Sequence, residues 1–362
     1  MPKHSGGGEK YLLDCMRVLL KRGQDQVYLV LSGRKCLDKN QQALILQKYQ
    51  KFFGYDLTGL KIINTPLGTK ASWWQKLQWT KQFDVLYYVT DGSLFFSLAK
   101  KNILHIQVPL EISKRSLFER LKLNNWHIKN TNSFFTKNYV EKTWPVHIDQ
   151  VHQPLVDLKE FPAQKINQLK KDKIILNVGR FFPQLHSKKQ DILVKIFAQM
   201  IRQRPQDLKD WQLILAGSKE DEDYAQKVSE LAKGLPIKIY HDLDRKALLK
   251  LYNRAPIYWH ATGYGVDEEK SPSAVEHFGI APIEAMAAYE TPVLIAKGGH
   301  KEILGTELSD YLWTTDEECI KKTLSLIKNP TLWKKTVEIA RLRAEQFSSE
   351  KFSRIFLKMI ES

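Results

Sequence analysis

Lys173-Ile-Ile-Leu-Asn-Val-Gly-Arg180 is an apolar run that breaks on a glycine and then a cation. A run this short, closed by a turn and followed by a helical pattern over 189–202, reads as a buried strand of a parallel sheet. Toward the C-terminus the same alternation repeats. Strands are expected at 211–216, 237–240, 256–259 and 292–296, helices at 224–233, 245–253 and 283–288, and mostly helix from 316 to 360. Toward the N-terminus, 151–161 reads as a linker, and a looser series precedes it. Its strands are expected at 27–31, 61–63, 84–89, 103–108 and 133–135, and its helices at 9–21, 40–52, 93–101 and 113–121. The fold class that follows is α/β, two doubly wound Rossmann-like domains facing each other across a cleft. They are expected at 1–155 and 156–345, with a terminal helix over 346–362 packing back on the first. In such sheets ligands sit beyond the carboxyl ends of the strands. One feature departs from this pattern. The run Gly6-Gly7-Gly8 has only residues 1–5 before it, so the first strand of the N-terminal domain is expected to be missing.

Length and composition narrow the classes. A chain of 362 residues suits two cores better than one, and 43% hydrophobic residues is ordinary for a globular protein. No apolar stretch approaches the roughly 18–20 residues that span a bilayer. The start, Met1-Pro-Lys-His-Ser-Gly-Gly-Gly8, carries no apolar signal core, and a cytoplasmic location is expected. Cys15, Cys36 and Cys319 are scattered, which fits a reducing compartment and points to no metal or redox site. The net charge of +16 is uneven: residues 1–150 hold 23 Lys and Arg against 11 Asp and Glu, residues 151–362 hold 33 against 29. A basic first half suits nucleic acid or an anionic membrane leaflet, or is simply a soluble basic surface. The chain shows no zinc, helix-turn-helix or RNP-like signature, so no nucleic-acid partner is expected.

The strongest local signal is Glu276-His-Phe-Gly-Ile-Ala-Pro-Ile-Glu284. Pro282 suits the first turn of a helix, Gly279 lets the backbone approach a ligand, and the unpaired N–H groups of a helix start attract phosphate. Glu284, placed in that first turn, can accept hydrogen bonds from a ribose diol, and Glu276 can reach a sugar. Surface acids flanking a helix are the plain alternative. The second signal is Asn177-Val-Gly179-Arg180 followed by Lys188, two cations positioned to neutralise a diphosphate, or else two solvated surface charges. Gly217, at a strand end, leaves room for a base or ribose. The N–H groups around Gly298-Gly299-His300 can approach a sugar or phosphate, although loops need glycine for turns more often than for ligands.

Together these pieces resemble the retaining glycosyltransferases of family 4, which have the GT-B fold. Specific motifs run from Lys173 to Ile303, with a weaker match at Gly6-Gly-Gly-Glu-Lys-Tyr11. The Glu276-x7-Glu284 arrangement around Phe278-Gly279 is the most specific part. The run Trp259-His-Ala-Thr-Gly-Tyr-Gly265 looks like the version in a subset of bacterial members. The resemblance implies that Glu284 binds the ribose and Glu276 the donor sugar. It implies that Arg180 and Lys188 hold the diphosphate, with Gly179, Gly217, Gly298, Gly299 and the backbone of Phe278, Gly279 and Ile280 completing the pocket. Gly6, Gly7 and Gly8 would line the acceptor side. The family's histidine after the fourth N-terminal strand falls on His105, or its place is taken by Gln107.

The implied reaction moves a hexose from a GDP- or UDP-sugar to a glycan or lipid-linked acceptor in cell-surface polysaccharide synthesis, with retention and front-face attack. No cofactor or obligatory metal is implied. Asp242-Leu-Asp244 and Asp221-Glu-Asp223 have the Asp-x-Asp spacing of metal-dependent transferases, yet each stands where an N-cap is needed. Ala71-Ser-Trp-Trp-Gln-Lys-Leu-Gln-Trp-Thr-Lys81 mixes Trp with Lys, which suits a membrane interface or a carbohydrate surface, or else a core helix whose Trp residues pack on the sheet. An anionic membrane surface is thus a candidate partner. Two rival readings remain: a remnant that binds nucleotide sugar without turnover, and a basic protein that binds nucleic acid or membrane. Related folds also host epimerases and phosphorylases.

Overall fold

A computed structural model describes residues 7–31, 36–109, 117–184 and 187–362. The chain divides into two units: Met1–Asn132, Thr136–Leu155 and Phe352–Ser362 form the first, Ser133–Phe135 and Val156–Lys351 the second. Both are α/β with parallel sheets.

The first unit contains α1 (Gly7–Arg22), β1 (Tyr28–Val30), α2 (Lys39–Phe53), β2 (Lys61–Ile63), α3 (Trp73–Thr80), β3 (Val85–Thr90) and β4 (Lys101–Ile106). It continues with α4 (Leu117–Asn124), β5 (Ile128–Thr131), most of α5 (Phe134–Thr143) and β6 (Gln150–Val151). Strands β1 and β2 pair in parallel, and β3-β4-β5-β6 form a second parallel sheet. Three expectations fail here. No helix forms over 93–101, because Asp91 accepts from the Ser93 N–H and hydroxyl at 3.0 and 2.6 Å, a side-chain turn that leads into an extended approach to β4. The strand expected at 133–135 lies earlier, at β5, and Phe134 starts α5 instead. Gly7 and Gly8 begin α1 rather than forming a loop; Gly6 and the expected missing strand fall outside the described residues, as do 113–116 of the expected helix.

In the second unit follow β7 (Ile174–Val178), α6 (Gln190–Gln203), β8 (Gln212–Gly217), α7 (Glu222–Ala232), β9 (Ile237–His241), α8 (Arg245–Arg254) and β10 (Ile257–His260). Then come α9 (Ile280–Ala287), β11 (Thr291–Ile295), α10 (His300–Leu304), β12 (Leu312–Trp313), α11 (Asp316–Lys328) and α12 (Pro330–Ala344). Its six-stranded parallel sheet has the order β12-β11-β10-β7-β8-β9. The central strands β10 and β11 are buried throughout and β7 nearly so, which is why their sequences are continuous apolar runs. Order reverses next to β7, so the ends of β7 and β10 flank the crevice where such sheets bind ligands. Helix starts are fixed by caps: the Asp221 carboxylate accepts from Tyr224 N at 2.8 Å and Asp244 from Ala247 N at 2.7 Å. Those bonds give both Asp-x-Asp stretches a structural role.

The last helix, α13 (Ser349–Glu361), crosses from the second unit to the first at Phe352. Phe352, Phe356 and Met359 are buried with Tyr11, Cys15, Ile103 and Leu155. The amphipathic spacing of these residues, three and four apart, puts one apolar face on the core of the first unit. Lys101 Nζ also donates to the Ile360 carbonyl at 2.9 Å, closing one of the carbonyls left open at the helix end.

Candidate functional site in the second unit

The strand ends of the second sheet are brought together by glycines. Gly179, just past β7, donates its N–H to the Ala216 carbonyl at 2.8 Å. A Cβ on Gly217 would fall on the Gly179 carbonyl oxygen, so Gly217 serves close approach of β8 to that turn. The expected room for a base beside Gly217 is therefore filled by the chain itself. A Cβ on Gly179 would in turn lie 2.5 Å from Lys188 Cγ, and the bare glycine lets the Lys188 side chain cross the end of β7. Gly298, at φ 54°, leaves space for the Glu276 carbonyl, and a Cβ on Gly299 would lie 2.7 Å from the His277 carbonyl oxygen. Gly299 N also donates to the Glu276 carbonyl at 2.7 Å. The loop after β11 is thus seated directly on the 276–278 backbone.

The Glu276 side chain stands at the centre. Lys188 Nζ lies 2.5 Å and His260 Nε2 3.0 Å from its Oε2. Burial alone would raise the Glu276 pKa, but Lys188, the His260 hydrogen bond and the charges around it hold the carboxyl well below the usual range. It is an ionised, largely buried carboxylate paired with a cation. His260 closes β10, with Nδ1 3.1 Å from the Tyr258 hydroxyl and Nε2 2.9 Å from Thr262 Oγ1. His300, first residue of α10, packs its ring 4.9 Å from that of His260, and its Nδ1 lies 2.9 Å from the Ile295 carbonyl oxygen. Burial lowers the pKa of both imidazoles, His300 to about 3.

Gly279 caps α9 at φ 115°, a conformation that suits glycine, and offers no side chain to the first-turn N–H groups. Phe278 turns its ring into the core, 5.6 Å from Phe347, while its backbone stays at the loop; Ile280 begins the helix. Glu284 lies just beyond the first turn rather than in it. It is buried, and its Oε1 accepts from Arg245 Nη2 at 2.8 Å; Arg245 also holds Glu160 at 2.5 Å. Arg180 turns to Glu220, 3.1 Å away, and Glu220 accepts from Ser218 Oγ at 3.2 Å. The structure therefore joins Lys188, Glu276 and the glycine turns into one cluster and gives Arg180 and Glu284 separate ionic partners.

His260, His300 and Arg245 were missed as site residues in the sequence. The two histidines stand inside motifs marked by their glycines and aromatics, and nothing in a single sequence tells a ligand-side histidine from a core one. His105 is the converse case. It is fully buried in β4 of the first unit, stacked on Tyr11 at 4.2 Å and bonded through Nδ1 to Asn130 Oδ1. Burial pushes its pKa to about 3, and it acts as a packed core histidine rather than a group presented to substrate. Gln107, the alternative position, is half-buried beside Gly8, where a Cβ would come within 2.7 Å of its Oε1.

A family model described as glycosyl transferases group 1 matches residues 159–343, just over half of the 362 residues. Across 369 aligned residues the chain is 24% identical to an uncharacterized glycosyltransferase of Haemophilus influenzae, covering 96% of this chain and 94% of that one. It is 25% identical over 271 residues to the GDP-Man:Man(3)GlcNAc(2)-PP-Dol alpha-1,2-mannosyltransferase of Neurospora crassa, in 64% of this chain but only 44% of that enzyme. The fold resembles the crystal structure of Anabaena HepE in complex with UDP and glucose, with 15% identity, a TM-score of 0.67 and coverage of 99% of this chain and 97% of that one. It also resembles a glycosyltransferase from Rickettsia africae, with 16% identity, a TM-score of 0.72 and coverage of 99% and 95%. The fold is GT-B, with two Rossmann-like domains. Every member of the glycine, lysine and glutamate cluster lies within the matched residues, and the chain belongs to the glycosyl transferases group 1 family.

Proposed function

We propose that the chain is a retaining, metal-independent hexosyltransferase of family 4 that uses a GDP- or UDP-sugar and a glycan or lipid-linked acceptor of cell-surface polysaccharide synthesis. The observation that carries this reading is the Lys188–Glu276 pair, held at the carboxyl ends of the parallel strands beside an uncapped helix start. Its two charges suit the two ends of a sugar diphosphate. When the donor enters, Lys188 leaves the carboxylate for the diphosphate, joined by Arg180, while Glu276 accepts hydrogen bonds from sugar hydroxyls. The N–H groups at the start of α9 face the remaining oxygens, while those of Gly298 and Gly299 are taken by the Glu268 carboxylate and the Glu276 carbonyl, each at 2.7 Å. Glu284, already turned toward a cation, accepts from the ribose hydroxyls.

In the reaction the anomeric C–O bond breaks and its electron pair goes to the diphosphate, where the cations stabilise the developing charge. The acceptor hydroxyl attacks from the same face and passes its proton to the departing phosphate oxygen. The HepE complexes hold UDP and the Neurospora relative is named for GDP-mannose, which keeps both bases in play. Release of nucleoside diphosphate from a UDP- or GDP-sugar in the presence of EDTA, with NMR of the product showing the donor's anomeric configuration kept, is the expected result. Inversion, or activity abolished by EDTA and restored by a divalent ion, would contradict the mechanism.

The first unit is proposed to serve the acceptor and to touch an anionic membrane. Trp73 and Trp74 on α3 are 73% and 54% exposed, among Lys70, Lys76 and Lys81, so they are not the packed core faces that Trp usually supplies. No described helix is long and apolar enough to cross a membrane. Co-sedimentation should show binding to vesicles with anionic lipid, falling at least about threefold on Trp73→Ser with Trp74→Ser. Equal lack of sedimentation with neutral and anionic vesicles would remove the membrane from this account.

A further inference from the structure

His260, His300 and Glu276 carry an arrangement that the transfer reaction does not use. Their candidate ligand atoms, one imidazole nitrogen from each histidine and one carboxylate oxygen, all lie within 4.8 Å of one another. His300 explains the geometry. Its Nδ1 faces the Ile295 carbonyl oxygen at 2.9 Å, and a carbonyl only accepts, so Nδ1 carries the proton and Nε2 is a bare lone pair. That Nε2 is buried and has no hydrogen-bond partner among the described residues. Leaving such an acceptor unmatched costs roughly 1–3 kcal/mol, which calls for an occupant.

The surrounding bonds are those of a metal site. The Ile295 carbonyl engages His300 Nδ1; the His260 Nε2 proton, which now faces Glu276, shifts to Nδ1 when a metal binds, where the Tyr258 hydroxyl, itself donating to the Val178 carbonyl at 3.1 Å, accepts it. This is how ligating imidazoles are oriented and their tautomers set. Both rings are on rigid elements, the last residue of β10 and the first of α10. Two imidazoles with one carboxylate are a zinc-class set, whereas magnesium and calcium prefer oxygen alone. Tetrahedral zinc with bonds of about 2.0–2.2 Å sets its ligands about 3.4 Å apart, so closure needs side-chain movements of about 1 Å.

We propose that His260, Glu276 and His300 form a binding site for a zinc-class divalent cation, which displaces Lys188 from Glu276 and shuts the donor site. Lys188 now supplies the positive charge at 2.5 Å from the carboxylate. A dication on the histidine side repels that ammonium and takes up the oxygen that would otherwise serve a sugar. The site is inhibitory, so it sits beside metal-independent transfer without conflict. Its effect on the donor rests on the function proposed above; the metal binding itself does not.

Metal-stripped full-length chain is titrated with cobalt chloride, read by visible absorption, and with zinc chloride, read by calorimetry. One cobalt per chain should give tetrahedral bands that zinc abolishes. His300→Leu and His300→Gln should both lose the bands, and His300→Gln, whose amide can still donate to the Ile295 carbonyl, should stay folded without metal. Lys188→Met should bind zinc at least about tenfold more tightly, because the competing charge is gone. Excess zinc should weaken nucleotide-sugar binding about tenfold in the parent and leave it unchanged in His300→Leu, a control for chelation of zinc by the diphosphate. No bands in the parent or in Lys188→Met, bands that survive both His300 substitutions, or donor affinity indifferent to zinc would each overturn the proposal. Donor binding without cobalt uptake rejects the metal site alone; cobalt uptake without donor binding rejects the transferase reading and keeps the metal site.

Discussion

Lys188→Met is expected to lower stability by about 3 kcal/mol and to slow transfer by about 10²–10³-fold. Removing one partner of a buried ion pair strands the other charge, at a typical cost of about 3–5 kcal/mol. The pair is well buried, Lys188 being 15% and Glu276 13% exposed in their side chains, so screening by solvent is limited. The lower end applies because His260 still bonds the carboxylate at 3.0 Å. For a domain of this size the melting temperature should fall by roughly 6–12 °C. The pH dependence has a definite sign. Glu276 has a depressed native pKa, so its contribution is present above the unfolded carboxyl value of about 4.3 and is lost as pH falls toward the native value. Thermal melts of parent and Lys188→Met from pH 7 to pH 3 should therefore converge in acid. A constant gap across that range would show that the pair is not the source of the loss. In the proposed transfer the same substitution removes a cation from the leaving diphosphate, the source of the expected loss of about 10²–10³-fold in rate.

Gly217→Ala should be the most damaging single methyl in the second unit. The added Cβ meets the carbonyl oxygen and carbon of Gly179, which are backbone atoms held by the Gly179-to-Ala216 hydrogen bond at 2.8 Å. Relief requires separating β8 from the turn after β7, at a cost of about 3 kcal/mol or more. Because that turn supports both Arg180 and Lys188, donor affinity should fall with stability. Gly234→Ala is the control: nothing lies within 4 Å of its added Cβ, and only its φ of 73° opposes the change, at about 1 kcal/mol. Chemical denaturation of the two variants should separate them by about 2 kcal/mol. Similar midpoints would mean that the β7–β8 approach has slack.

The two units differ in how far their folds were legible. In the second, central strands buried on both faces need uninterrupted apolar runs and the edge strand β9 alternates cleanly, so each expected strand lies within a residue or two of its place. In the first, Asn130 and Thr131 are buried inside β5, with the Asn130 amide donating to the Leu104 carbonyl at 3.1 Å. A strand that satisfies polar side chains internally has no hydrophobic signature, and the expectation slid to 133–135. The turn at Asp91 and Ser93 defeated the helix expected after it for a local reason, a side chain bonding its own backbone.

The site was half visible. Glycines mark backbone proximity in sequence but do not say whether a ligand or another strand fills the space, and at Gly217 it is another strand. Charge pairing across distant segments is likewise silent: Arg245 follows the cap Asp244 in sequence, yet its guanidinium holds Glu284 and Glu160. Lys188 and Glu276 were both identified from their motifs, but their mutual bond across 88 positions belongs to the fold.

The central claim, a nucleotide-sugar donor site in the second unit, is tested most directly by thermal shift with a panel of UDP-, GDP- and ADP-sugars on the parent, Glu284→Ala and Arg180→Ala. A ligand at 100 times its Kd stabilises the folded state by about 2.7 kcal/mol, enough to read as a shift of several degrees. The account predicts that one base raises the parent's melting temperature and that both variants lose most of that response while remaining folded. A folded parent indifferent to every donor, or one whose response survives both substitutions, would contradict it.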